Sequence, residues 1–308
     1  HASVSVATKM NKKTRLKVLI LAPEILVMPG AYDPVSAKLI ERAGFDAVQC
    51  SGLAISFAHL GLPDYSFMSM PEAVARTRVI VDATNLPVMA DADTGFGNAV
   101  NAYYAVRELE RAGAAGVNVE DQVMPKRCGH LDGKTVVPLD EALAKISAAA
   151  DAREDPDFVI NARTDALAVH GMDEVIRRGN AFLEAGATMV FVDGIKSEKE
   201  IRAAVNGISG PVAINIVESQ SSPRHLTFSD LQQMGVARVS LPGAMLRAAA
   251  RGMIETLDTI KQHDAVVLPG RVSFEFEDTQ TLIGMNEIYA MERKYLSGLM
   301  NSGGADLG

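Results

Sequence analysis

One pattern recurs along the chain and limits its fold more than any other. A short apolar run ends in polar or glycine residues, and an amphipathic helical stretch follows. The runs are LVMPGAYD (26–33), AVQCSG (47–52), PVMADADTG (87–95), GVNVEDQ (116–122), FVINARTDA (158–166), MVFVDGI (189–195), VAINIVE (212–218) and RVSLPGA (238–244). None alternates strictly between apolar and polar residues, as expected of strands covered on both faces of a parallel sheet. An Ala-Gly pair stands before a strand at Ala43-Gly44, Ala112-Gly113 and Ala185-Gly186. It reads as a helix C-cap, where glycine takes the left-handed conformation at no steric cost. Eight strand-then-helix units in succession predict an α/β fold, a (β/α)8 TIM barrel. A doubly wound open sheet is the alternative, but no G-x-G-x-x-G opens the first helix and no Walker lysine loop occurs.

Nothing resembles an interdomain linker, so the expectation is a single barrel domain over 1–308, with 265–308 as a C-terminal helical extension and tail. Phe274 to Leu296 repeats its apolar residues at helical spacing and predicts one or two helices. A net charge of −8 without basic clusters argues against nucleic acid or an anionic membrane as partner. Two cysteines, Cys50 and Cys128, cannot make a disulfide framework, and a reducing, cytoplasmic setting is expected. Leu16 to Met28 is the most apolar early stretch. It carries Lys17, Pro23 and Glu24 and falls short of the roughly 20 residues a membrane span needs. No secretory leader is evident in the sequence.

A barrel of this kind places its chemistry at the C-terminal strand ends. Those ends carry Tyr32-Asp33, Ser51-Gly52, Asp91 and Asp93, Glu120-Asp121, Arg163 to Asp165, Asp193, and Asn215 with Glu218. Buried strands have no structural need for so many acids. In ADADTGFGN, Asp91 and Asp93 are two apart, so on a strand both point to one side. Converging carboxylates repel unless a cation lies between them, and oxygen-only ligation suits Mg2+. The competing reading is a turn or capping cluster before the helix at Asn98. Glu120 and Asp121 either add acids near the metal through water or form a solvated loop pair. Arg163 is either a bidentate clamp for a substrate carboxylate or one half of a salt bridge to an acid such as Asp165. In KRCGH (126–130), Lys126, Arg127 and His130 would stabilise a Cys128 thiolate. A zinc site would need about four ligands at recognisable spacings. The residues leave a nucleophile, an acid/base thiol and a spectator open for Cys128. Cys50, inside an apolar strand, reads as core packing.

These motifs together resemble the isocitrate lyase and phosphoenolpyruvate mutase superfamily. The matching pieces are MPGAYDPVSAKLIERAGFDAV, SG…HLGLPD, ADADTGFGN, VEDQVMPKRCGH, NARTDA and NIVE…SP, in family order from Met28 to Pro223. The resemblance implies a barrel whose eighth helix is exchanged between subunits, in a homotetramer made of two dimers. KRCGH is similar to the carbon–carbon lyase branch, most of all to dimethylmalate and methylisocitrate lyases. That implies retro-aldol cleavage of a 2-alkylmalate to a 2-keto acid such as pyruvate plus a carboxylate, with Mg2+ as cofactor and Mn2+ as a substitute. Carried over by resemblance, Asp91 and Asp93 are metal acids, Glu120 lies near the metal through water, and Asp64 of GLPD is a further acid beside it. Ser51, Gly52 and the neighbouring Leu53 hold the keto-acid carboxylate, and Arg163 binds substrate. Lys126, Arg127, Gly129 and His130 belong to a closing loop that delivers Cys128 as the acid. Tyr32, Asn215, Glu218, Ser222 and Pro223 complete the substrate surroundings.

Three departures leave the substrate open. Asp193 stands where the lyases usually have glutamate, Ser222 where they have threonine, and Arg224 where they have an apolar residue. Ser222 is similar to oxaloacetate acetylhydrolases, so hydrolysis or decarboxylation of oxaloacetate is one alternative. A phosphonopyruvate-type mutase or hydrolase is another, and a carboxylate-binding barrel without catalysis is a third.

Overall fold

A computed structural model describes residues 10–127, 133–217, 223, 225–263 and 275–300. Eight parallel strands close into a barrel in sequence order, β8 returning to β1. They are β1 (Leu26–Ala31), β2 (Val48–Cys50), β3 (Val88–Asp91), β4 (Gly116–Glu120), β5 (Val159–Thr164), β6 (Met189–Val192), β7 (Val212–Asn215) and β8 (Arg238–Leu241). This is the predicted (β/α)8 architecture. Each strand stops earlier than its apolar run suggests, so several predicted strand-end residues lie in the loops beyond.

The local chemistry of the helices is visible in their ends. Ala43, Ala112 and Ala185 are right-handed C-caps, and Gly44, Gly113 and Gly186 follow at φ +86°, +94° and +104°. A side chain there would be strained, which is why the same pair recurs. Asp33 does not enter the barrel mouth. Its carboxylate accepts the Ser36 backbone N–H at 2.7 Å and caps the helix Pro34–Arg42.

The strands sort their side chains by alternation. Val117, Val119, Ile160 and Ala162 face the surrounding helices and join the apolar layer there. Leu26, Met28, Met89, Val159, Met189 and Ala213 form a cluster with Leu16 and Ile20. Leu16 and Ile20 come from a helix, Lys12–Leu21, capped by Asn11. The early apolar stretch therefore splits between this helix and β1. Cys50 is buried among Ala31, Ile40 and Ile80, as core packing predicts. Among the described residues, no helix is long and apolar enough to cross a membrane.

The chain divides into two compact units, His1–Arg247 and Ala248–Gly308. The helix Ala244–His263 begins in the first and continues in the second. The second unit also contains the helices Phe276–Leu282 and Met285–Met300, where the apolar spacing of 274–296 predicts one or two, with Gly284 between them at φ +84°.

Candidate active site

A cavity of about 240 Å3 opens at the C-terminal strand ends. Ligand pockets for drug-sized molecules begin near 300 Å3, so this one suits a small metabolite. Ser51, Gly52 and Leu53 form one side, Asp64, Asp91 and Lys126 a second, and Arg163, Asp193 and Asn215 a third. Nine of the residues singled out from the sequence therefore meet around one space.

On the acidic side, Asp91 ends β3, but Asp93 lies past it with a left-handed backbone at φ +47°. Strand alternation does not bring the two together, contrary to the sequence reading. The chain turns back at Asp93, and its N–H donates to Asp91 Oδ1 at 3.1 Å. The other Asp91 oxygen accepts the Gly52 N–H at 3.2 Å. Asn98 caps the next helix, so the capping role belongs to it and not to the two aspartates. Lys126, assigned by sequence to a closing loop, is 2% exposed along its side chain. Its ammonium sits 2.7 Å from Asp64 Oδ2 and 3.0 Å from Asp93 Oδ1. Burial alone would lower its pKa, but Asp93, Glu120, Asp64 and Asp91 outweigh that and hold it well above the ordinary lysine value. Burial pushes Asp93 up to about 6, only partly countered by Lys126.

The basic side is an ion cluster. The Arg163 guanidinium meets Asp165 at 2.8 Å, Glu120 at 3.2 Å and Asp193 at 3.4 Å. Both readings of Arg163 thus have support: it is salt-bridged to Asp165, and it lines the cavity. Lys134 reaches Asp165 at 2.8 Å and Asp193 at 3.3 Å, and Asn215 donates to the other Asp193 oxygen at 3.1 Å. Asp193 is fully buried and shared among three donors. Arg163 and Lys134 hold the Asp165 carboxyl far below its ordinary range despite its burial, while burial holds Glu120 well above its own. Asp121 points outward, accepting from Thr164 Oγ1, the Asp165 N–H and Arg178. It braces the barrel wall and is neither a metal acid nor a solvated loop residue.

Among the described residues, no three Asp, Glu, His or Cys side chains form a direct metal cage. The donor set nonetheless fits Mg2+, which keeps several waters and takes one or two carboxylates. Asp64, Asp91 and Asp93 are hard oxygen donors whose mutual repulsion Lys126 offsets only in part. Gly52 is the tightest constraint on them: a Cβ there would lie 2.5 Å from Asp91 Oδ2. Gly52→Ala is therefore expected to fold, because the carboxylate can swing away, but to weaken Mg2+ binding by roughly tenfold, a loss of about 1.4 kcal/mol. Titration calorimetry with Mg2+ checks this, and unchanged affinity would remove Asp91 from the metal set.

Tyr32 packs with Cys50 and Ile55 in the helix-facing cluster and does not line the cavity. Arg127 stands over the Tyr65 ring at 5.7 Å, and its N–H donates to Gln122; it does not line the cavity either. Pro223 is buried and accepts the Leu226 N–H. Cys128, Gly129, His130, Glu218, Ser222 and Arg224 lie outside the described residues. Sequence reasoning missed Lys134, Gln49, Asn118, Phe191 and Ser240. The signal for three of them was present: polar residues in phase with the site residues of otherwise apolar strands, as in AVQC, GVNVE and RVSL.

The model of the phosphoenolpyruvate phosphomutase family matches residues 16–261. The 2,3-dimethylmalate lyase of Eubacterium barkeri is 42% identical over 94% of this chain and 100% of its own length. Among solved structures, an oxaloacetate acetylhydrolase bound to 3,3-difluorooxalacetate superposes with a TM-score of 0.86 at 32% identity, covering 94% of this chain and 97% of that one. A phosphonopyruvate hydrolase complex with oxalate and Mg2+ gives 0.84 at 33% identity, covering 93% and 100%.

Proposed function

The chain belongs to the phosphoenolpyruvate phosphomutase family, within the PEP mutase/isocitrate lyase superfamily, and on that footing we propose that it is a Mg2+-dependent carbon–carbon lyase of 2-alkylmalates. The observation that carries this is a small cavity walled on one side by Asp64 and Asp91 around a buried lysine, and on the other by Arg163 and Asp193. Its motifs favour 2,3-dimethylmalate or a methylisocitrate-like acid as substrate.

The Ser51-Gly52 backbone and Arg163 bind and orient the carboxylates of the substrate. Transfer of the C2 hydroxyl proton to a general base in the cavity forms the C2 carbonyl and breaks the C2–C3 bond, with the electron pair of that bond passing to the departing carboxylate fragment. One product is a 2-keto acid; the other is an aci-carboxylate that needs a proton at carbon. Cys128 supplies that proton from the KRCGH loop, which excludes water while it is closed. Asp91 and Asp93, with Asp64 and Glu120 beyond them, would hold Mg2+, which when bound would supply positive charge to offset the negative charge that develops during cleavage. Lys126 fixes Asp64 and Asp93 from within the protein, so its role is at the metal acids as well as at the loop.

The chain is also proposed to assemble as a tetramer of helix-exchanged dimers. Met253, Ile254, Leu257 and Ile260 are 44–64% exposed at helical spacing on Ala244–His263. An apolar stripe of that kind marks a contact surface. A cytoplasmic location is proposed with it.

Ser222, together with the likeness to oxaloacetate acetylhydrolase, favours oxaloacetate cleavage as the second reading. Incubation with Mg2+ and dimethylmalate, methylisocitrate, oxaloacetate or phosphonopyruvate separates the readings by their products. Pyruvate from a malate supports the lyase, and oxalate from oxaloacetate supports the hydrolase.

A further inference from the structure

We propose that Arg238 is a positioning residue, a fixed cation one layer beneath the cavity that sets the affinity of the site for small carboxylate anions. This rests on the reading of the cavity as a carboxylate site and goes beyond it by assigning a residue outside the lining. Ser240 lines the cavity, and Val239 faces the helices. Alternation along β8 therefore puts Arg238 on the inner face below Ser240. Its barrel neighbours there include Leu26 and Ala213, its register partners, and Met28.

That placement is costly. The side chain is fully buried. Among the described residues it has no carboxylate at ion-pair distance, and its Nη1 has no hydrogen-bond partner. Its partners are neutral: Nη2 donates to Gln49 Oε1, and Nε lies 3.2 Å from Met28 Sδ. A buried charge without a counter-ion destabilises a fold unless something compensates. An apolar residue would fill this position at lower cost, so packing does not explain the arginine. Burial pulls its pKa down to about 9, opposed by Asp91, which leaves it charged at neutral pH.

Two contacts connect that charge to the site. Gln49, which lines the cavity, is fixed between Arg238 and the carbonyls of Cys50 at 2.6 Å and Met89 at 3.3 Å. Those carbonyls adjoin the Ser51-Gly52 and Ala90-Asp91 segments. Phe191, also in the lining, has the Arg238 guanidinium 5.7 Å from its ring centroid and that of Arg163 at 5.3 Å. Around the cavity the acids Asp64, Asp91, Asp93, Glu120, Asp165 and Asp193 outnumber the cations Lys126, Lys134, Arg163 and Arg247. An incoming anion meets excess negative charge, and a permanent cation in the low-dielectric barrel reduces it.

The test compares the full chain with Arg238→Met and Arg238→Lys. Oxalate binding is measured by calorimetry in Mg2+, and thermal unfolding is followed without ligand. Arg238→Met is expected to melt at or above the parent temperature and to bind oxalate roughly tenfold more weakly, with Arg238→Lys keeping most of the affinity. Parent-like oxalate affinity in Arg238→Met overturns the proposal. So does a lower melting temperature or failure to fold, which would make Arg238 a structural residue. A parent chain that binds no oxalate overturns the carboxylate-site reading and the proposal with it, and the parent titration alone identifies that case.

Discussion

Serine in place of Cys128 is expected to cut keto-acid release by at least about a hundredfold while Mg2+ and pyruvate still bind. Positioned proton transfer contributes about 10² to 10⁴ in rate. A serine hydroxyl keeps the shape of the side chain but is a far weaker acid than a thiol. The proton is needed only after the C2–C3 bond has broken, so affinity for the keto-acid product does not depend on it. Lys126 is committed to Asp64 and Asp93. Single-turnover assays with parallel calorimetry separate rate from binding. Near-normal turnover in the serine variant would remove Cys128 from the mechanism.

The second large effect is on stability. Asp165→Asn is expected to destabilise the barrel by about 3 kcal/mol, the scale on which removing one partner breaks a buried ion pair. Arg163 and Lys134 both bond Asp165, and its side chain is fully buried. Glu120 and Asp193 still face the two cations, which keeps the loss from being larger. The pH dependence follows from the direction of the shift. The Asp165 carboxyl is held below its ordinary range in the folded chain. Its contribution is therefore present above about pH 4, where the unfolded chain ionises, and is lost as pH falls below that. Urea unfolding at neutral pH and again in acid should show the gap between parent and variant narrowing in acid. A gap that is absent at neutral pH would show that the cluster does not hold the barrel together.

The barrel was legible because its signals are local. Doubly buried strands read as apolar runs, and the three Ala-Gly pairs mark helix ends at which only glycine is unstrained. The candidate site was legible through its motifs, with Asp64, Asp91, Lys126, Arg163, Asp193 and Asn215 brought around one cavity. What the sequence hid depends on backbone conformation and long-range pairing. The approach of Asp93 to Asp91 comes from a left-handed residue that two-residue spacing does not announce. Lys126 read as a loop cation because nothing in KRCGH shows that Asp64, far back in the chain, faces it. Nothing local marks Lys134 or Arg238 as buried: Lys134 is held by Asp165 and Asp193, just past β5 and β6, and Arg238 by Gln49 of β2 and Met28 of β1. Leu16 and Ile20 stand out locally only as apolar, and the cluster they complete draws on five strands.

The central claim is tested most directly by one measurement: pyruvate released from 2,3-dimethylmalate by the purified chain, with Mg2+ and after its removal by EDTA. The account predicts pyruvate with Mg2+ and none with EDTA, restored when Mg2+ is added back. Pyruvate formation that persists in EDTA, or no keto acid from dimethylmalate or methylisocitrate at any Mg2+ concentration, would contradict it.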